Sequence, residues 1–223
     1  MNVVFDDTPW DAVVFGLHTA EITAYTAAAL RQAIQTPGHY TIKVDPRVSK
    51  QWLHEAGFYY CDTLLEPHCT AEKLRVFRHP DATIGKDVDW QALLEICHGA
   101  FSYDRFHRDF NLDSAWADAR YDKWLYQLYE QKAVYGLFWR GELSGFIAHL
   151  GGKLVLHALA SSYRSKGLAK YWWHATCCEL FGAGHLEVTS SISAINMAVL
   201  NLYASLNFSF RNPLDVYHRL VTD

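Results

Sequence analysis

The sequence predicts a mixed α/β protein, and three observations carry that expectation. Two strand–helix–strand units stand far apart in the chain, at 39–66 and 185–210. Between them lies a meander of three strands, 133–160, in which apolar stretches are broken by glycine-bearing turns. Two helices, 90–101 and 114–131, precede the meander and show apolar faces at helical spacing.

Taken in order, "HYTIKV" (39–44) is expected to be a strand and "PRVSKQWLHEA" (46–56) a helix, with Pro46 in its first turn and Gly57 ending it. "FYYCDTLLE" (58–66) is the next strand. The polar, turn-rich "HPDATIGKDVD" (79–89) reads as a boundary, dividing the chain into an N-terminal region, 1–88, and a C-terminal domain, 89–223. In the second helix, Ser114 is the expected N-cap. Strands 133–140 and 143–150 are joined by a hairpin turn at Gly141–Glu142, and strand 153–160 follows. A strand at 185–192, a helix at 193–206 and a strand from Phe208 complete the chain. Phe58 laid on Phe208 superposes the two strand–helix–strand units without a gap across the helix, as an internal duplication would.

Composition bounds the function. With 223 residues and 50% apolar content the chain builds a sizeable core, and a net charge of -4 argues against general nucleic-acid binding. No stretch reaches the roughly 18 apolar residues of a membrane span, and the N-terminus has no signal-peptide pattern. Five cysteines without a CxxC pair point to reduced thiols and a cytoplasmic setting. Twelve histidines raise a metal question; only "HATCC" (174–178) comes near a ligand spacing, and it reads as helix packing, so no metal is expected.

The stretch "SSYRSKGLAKYWW" (161–173) places an Arg-x-x-Gly-x-Ala hexamer between a strand and a helix. Free amides and a helix dipole make that junction an anion site. Arg164, Lys166 and Lys170 add charge, and Gly167 and Ala169 keep the backbone approachable. Alone, the hexamer reads first as a solvated basic helix start.

The hexamer, followed by Asn196, Tyr203 and Phe208 at intervals of seven and five, resembles the two signatures of the GNAT acetyltransferase superfamily. "WDAVVFGLHTAEI" (10–22), "LHEAGFYYCDT" (53–63), "FSYDRFHRDF" (101–110) and "ADARYDKWL" (117–125) are similar to sugar-amine acetyltransferases of the dTDP-fucosamine type. The resemblance implies a GNAT fold, a mixed and mostly antiparallel central sheet flanked by helices, preceded by a smaller partial GNAT-like region. That region has Leu53 where Tyr203 falls and Pro46 where Asn196 falls, so it is expected to be catalytically empty.

The implied activity is transfer of acetyl from acetyl-CoA to a primary amine, on a nucleotide-linked amino sugar of the dTDP-4-amino-4,6-dideoxyhexose type, for surface polysaccharide. His157 and Leu159 would line the pantetheine arm, with the Leu159 amide facing the developing oxyanion. Arg164, Ser165, Lys166, Gly167, Leu168, Ala169 and Lys170 would hold the pyrophosphate. Asn196 would hydrogen-bond the cofactor, and Tyr203 would be the general acid. Arg105, His107, Arg108, Tyr121 and Trp124 are the candidate acceptor contacts. His107, Asp109, His157 and Asp104 are base candidates by type only. A homodimer is expected by analogy; no nucleic-acid or membrane partner is. The alternatives are a GNAT acting on another small amine or a protein N-terminus, and a non-catalytic CoA-binding module.

Overall fold

In chain order the elements are β1 (Phe5–Asp7), α1 (Pro9–Phe15), β2 (Thr19–Ile22), α2 (Ala27–Ala33), β3 (Gly38–Val44), α3 (Gln51–Glu55), β4 (Tyr59–Thr70) and β5 (Ala82–Gly85). There follow α4 (Trp90–Cys97), α5 (Ser114–Glu130), β6 (Val134–Trp139), β7 (Glu142–Leu150), β8 (Lys153–Leu159), α6 (Ala169–Gly182), β9 (Glu187–Ser190), β10 (Ile192–Ser193), α7 (Met197–Ser205) and β11 (Ser209–Val221). The computed structural model describes residues 4–222. The strands form a single mixed sheet flanked by helices, as expected of the fold class.

The chain divides into two compact units. The first holds Met1–Leu64, Ser102–Arg120 and Asn212–Asp223; the second holds Leu65–Phe101 and Tyr121–Arg211. The division follows contacts and is interleaved along the chain, so it does not bear on a duplication boundary at residue 88.

In the first unit β2 runs parallel to β3, while β1 pairs β2 and β11 pairs β3 antiparallel. Inward-facing Ala20, Ile22, Tyr40, Ile42 and Tyr217 pack with Leu30 of α2, Leu53 of α3 and Phe58. In the second unit β5, β6, β7 and β8 form an antiparallel meander, and β9 runs parallel to β8 and antiparallel to β4. One face is covered by α6 and α7, with Trp172, Trp173, Leu180, Tyr203 and Leu206 over Leu137, Ile147 and Leu154. Against the other lie α4 and α5, through Leu93, Leu125 and Leu128 over Val134, Phe146 and Leu156. No helix among the described residues is long and apolar enough to cross a membrane.

Several local expectations change. The expected helix 46–56 forms only over Gln51–Glu55. Asp45 and Pro46 instead accept from the Lys50 ammonium in a turn, which delays the helix start. Ser114 lies inside α5, because Asp113 takes the cap and its carboxylate accepts from the Ala115 amide at 2.9 Å. The hairpin turn sits one residue earlier, at Arg140 and Gly141, whose φ angles of 53° and 84° match the paired left-handed residues of a type I′ turn. The segment 79–89 contains β5, an edge strand paired to β6. All five cysteines are free thiols.

Candidate cofactor and catalytic site

The site in the second unit begins with a strand that keeps only part of its neighbour. β8 pairs with β7 as far as Leu159, whereas its parallel pairing with β9 is confined to Lys153 and Leu154. From Val155 onward the β9-side edge of β8 is open among the described residues. The Ala160 amide donates to Ser144 O on the β7 side at 2.9 Å. Amides alternate direction along a strand, so those of His157 and Leu159 face the open edge. The Leu159 carbonyl, on that same edge, accepts from Arg164 Nε at 2.8 Å. One backbone amide is thereby left facing the gap beside a filled carbonyl.

After a short 3₁₀ turn (Ser161–Tyr163) the chain enters the hexamer. Ser165 and Gly167 take left-handed φ angles of 58° and 69°, and α6 begins at Ala169 without a side-chain cap. Among the described residues the amides of 165–170 donate no hydrogen bond. Successive free amides at a helix start form an anion-binding concavity. Lys166 lies over the Tyr163 ring and Lys170 over Phe77 and Tyr171, at 5.6, 5.1 and 5.2 Å respectively. A cleft of about 550 Å³ is lined by Trp139, Glu142, Leu143, Ser162, Tyr163, Lys166 and Leu168.

Tyr203 projects from α7 into the core and is fully buried. Its ring meets Phe208 at 4.9 Å and His157 at 6.3 Å. Neither its hydroxyl nor the Trp173 indole nitrogen has a hydrogen-bond partner, although both are buried. Burial raises the Tyr203 pKa above the usual phenol range, and neighbouring Ser190 and Trp173 oppose the rise. Burial pushes His157 down to about 4, so it is a neutral imidazole at neutral pH. Asn196 caps α7, its carbonyl oxygen accepting from the Val199 amide at 3.3 Å. Arg164, Leu159, His157 and the 165–170 loop are thus consecutive parts of one strand–loop–helix junction, with Tyr203 reaching His157.

The acceptor candidates fall in both units. In the first, His107 is held between Asp104 and Asp118, and these carboxylates, Asp104 foremost, raise its pKa. Arg108 pairs with the buried Asp62 at 3.3 Å. Arg105 lies over the Phe106 ring at 4.6 Å. In the second unit Tyr121 stacks on Phe101 at 4.3 Å and lies 6.4 Å from Trp124. Sequence spacing did not disclose Asp62 or Asp118, the acids that engage Arg108 and His107. Another cleft, about 410 Å³, lies between α4 and the end of β8, lined among others by Glu95, His98, Ala160, Ser161 and Arg164.

The fold is that of GNAT acetyltransferases. Among solved structures, the chain is similar to a GCN5-related N-acetyltransferase from Sphaerobacter thermophilus (TM-score 0.62, 11% identity), the match covering 88% of this chain and 65% of that one. The chain thus spans less than two thirds of that neighbour's length. It is also similar to a putative GNAT-family acetyltransferase from Novosphingobium aromaticivorans (TM-score 0.57, 14% identity; 92% and 84% covered). A third similarity is to a tandem GNAT protein from the clavulanic acid biosynthesis pathway (TM-score 0.56, 10% identity; 92% and 76% covered). No protein-family model matches the sequence, and no curated protein matches it.

Proposed function

We propose that the chain is an acetyl-CoA-dependent N-acetyltransferase that acetylates the amine of a nucleotide-linked amino sugar by direct attack on the thioester. The observation that carries the transferase assignment is the open edge of β8, with the free Leu159 amide, running into the uncapped amides of 165–170. Such an edge suits a pantetheine arm laid alongside as an added strand, and the loop suits its pyrophosphate. A neutral amine attacks the carbonyl carbon, and the oxyanion is met by the Leu159 amide. The tetrahedral intermediate loses its ammonium proton to solvent, the carbon–sulfur bond breaks as Tyr203 gives its proton to the departing sulfur, and solvent returns a proton to the Tyr203 oxygen. Burial keeps Tyr203 protonated throughout the neutral range.

The nucleotide-sugar acceptor rests on the sequence resemblance and on Arg105, which stays close to aromatic surface. Arg108 and His107 hold acidic partners, so they would meet a diphosphate only after exchanging them. A second acceptor, a small cationic amine, is favoured by one observation: Glu95 lines the cleft at the end of β8. The N-terminal region is proposed to be a partial GNAT-like copy without catalytic residues, and the setting cytoplasmic. The test is thiol release from acetyl-CoA against nucleotide amino sugars, polyamines and peptides. Turnover confined to nucleotide sugars supports the first acceptor. Turnover confined to polyamines supports the second, and none with any amine removes the enzyme assignment.

A further inference from the structure

In the first unit, β3 and β11 pair with Leu220 opposite His39 and Thr41 opposite His218. His39 and His218 are therefore diagonal neighbours on one face, and their rings lie 4.6 Å apart. Asp109, carried by the 102–113 segment, reaches this pair. A single carboxylate oxygen, Oδ2, lies 2.9 Å from His39 Nε2 and 2.8 Å from His218 Nδ1. All three side chains are 0–2% exposed. Among the described residues this is the one group of at least three histidine, cysteine or acidic side chains with ligand atoms so convergent, all within 4.8 Å of one another.

We propose that His39, Asp109 and His218 bind one divalent transition-metal ion of the zinc type. Two imidazoles and a carboxylate match its borderline-soft preference. The other carboxylate oxygen, Oδ1, is fixed by the Asn111 amide and the Tyr59 hydroxyl, both at 2.9 Å. That is the outer-shell support that ligating carboxylates require, and it leaves Oδ2 for the ion. Tyr59 Oη also lies 3.1 Å from Oδ2, within reach of a fourth position. Phe15 and Phe106 flank the imidazoles at 5.6–6.5 Å and keep the surroundings dry.

Without the ion, each imidazole gives an N–H to Oδ2; with it, each ring proton moves to the ring's other nitrogen and the two lone pairs turn inward. His218 Nε2 is buried without a partner, so no existing hydrogen bond opposes the proton's arrival there, and the metal–nitrogen bond must outweigh the cost of the N–H it leaves unpaired. Metal–ligand bonds of about 2.0 Å separate tetrahedral ligands by about 3.3 Å, so the carboxylate oxygen, now 2.9 and 2.8 Å from the two nitrogens, needs to draw back from each by only about 0.5 Å. The ion would tie the 102–113 segment to β3 and β11.

The test is Zn²⁺ titration of metal-stripped full-length protein by calorimetry, with visible absorption after Co²⁺ loading to report tetrahedral coordination. One ion per chain is expected. His39→Gln keeps an N–H for Asp109 but loses the imidazole, and should weaken binding by more than about 100-fold; Tyr59→Phe should weaken it about 10-fold. Folded wild-type protein that takes up no Zn²⁺, or His39→Gln and Tyr59→Phe proteins that both bind like the wild type, would overturn the proposal. In the first case the cluster is a hydrogen-bonded clamp only, and in the second the ion sits on other histidines.

Discussion

Leu53 and Tyr203 occupy the same place in two helix ends 150 residues apart. Each is fully buried, and each carbonyl accepts from the amide of a phenylalanine five residues on, Phe58 at 2.8 Å and Phe208 at 3.1 Å. The intervening Gly57 and Asn207 take left-handed φ angles of 72° and 68°, and their amides donate to His54 and Ala204 at 3.0 Å. The two helix ends share one left-handed C-terminal bonding pattern and differ in the side chain that each buries. The hydroxyl of Tyr203 is the group that Leu53 lacks.

Replacing that hydroxyl tests the acid role. Tyr203→Phe should lower kcat by about 10²–10⁴-fold while leaving acetyl-CoA affinity unchanged. Because neither of the polar neighbours that act on the hydroxyl, Ser190 and Trp173, makes a close hydrogen bond to it, the variant should lose no more than about 1 kcal/mol of stability, as a denaturant midpoint will show. Full activity would remove Tyr203 from the mechanism.

Gly145 fixes how closely β7 approaches the end of β8. A methyl group there would stand 2.5 Å from Ala158 O and 2.7 Å from Leu159 Cδ2. Gly145→Ala should therefore displace the Leu159 amide, cost about 1–3 kcal/mol of stability and weaken acetyl-CoA binding. Unchanged affinity by calorimetry would show that the β8 edge is not the cofactor's track.

Asn196 is tied to the start of α7 by its own cap. Asn196→Ala should cost about 1 kcal/mol in stability, and Asn196→Asp should restore most of it. If the residue also holds the cofactor, both variants should bind acetyl-CoA more weakly than wild type, because neither side chain keeps the amide donor. Wild-type affinity in both would confine Asn196 to capping.

Burial depresses His157 to about 4, below its unfolded value of about 6.5. A depressed histidine contributes stability that is complete above about 6.5 and is lost as pH falls toward about 4, because only the unfolded chain takes up the proton. The urea midpoint should decline across that window, and His157→Asn should flatten the decline. An equal slope in both proteins would assign the acid sensitivity elsewhere.

The sequence disclosed what depends on neighbours along the chain. Apolar periodicity located the meander and its covering helices, and the spacing of Asn196, Tyr203 and Phe208 located α7. Arg108–Asp62 and His39–Asp109–His218 join residues separated by 46, 70 and 109 positions, so no local pattern announces them. The early elements β1, α1, β2 and α2 were missed because they are 3–7 residues long, too short for a period to show. β5 was missed because a four-residue edge strand lies among turn-forming residues.

The one-sided pairing of β8 separates its amides by how fast they trade hydrogen for deuterium. Those of Ala158 and Ala160, turned toward β7, should exchange only when the meander opens. Those of His157 and Leu159 should exchange almost as freely as in a loose chain. A bound pantetheine would slow this second set alone. The strand thus keeps a residue-by-residue record of occupancy, legible before any acceptor is known.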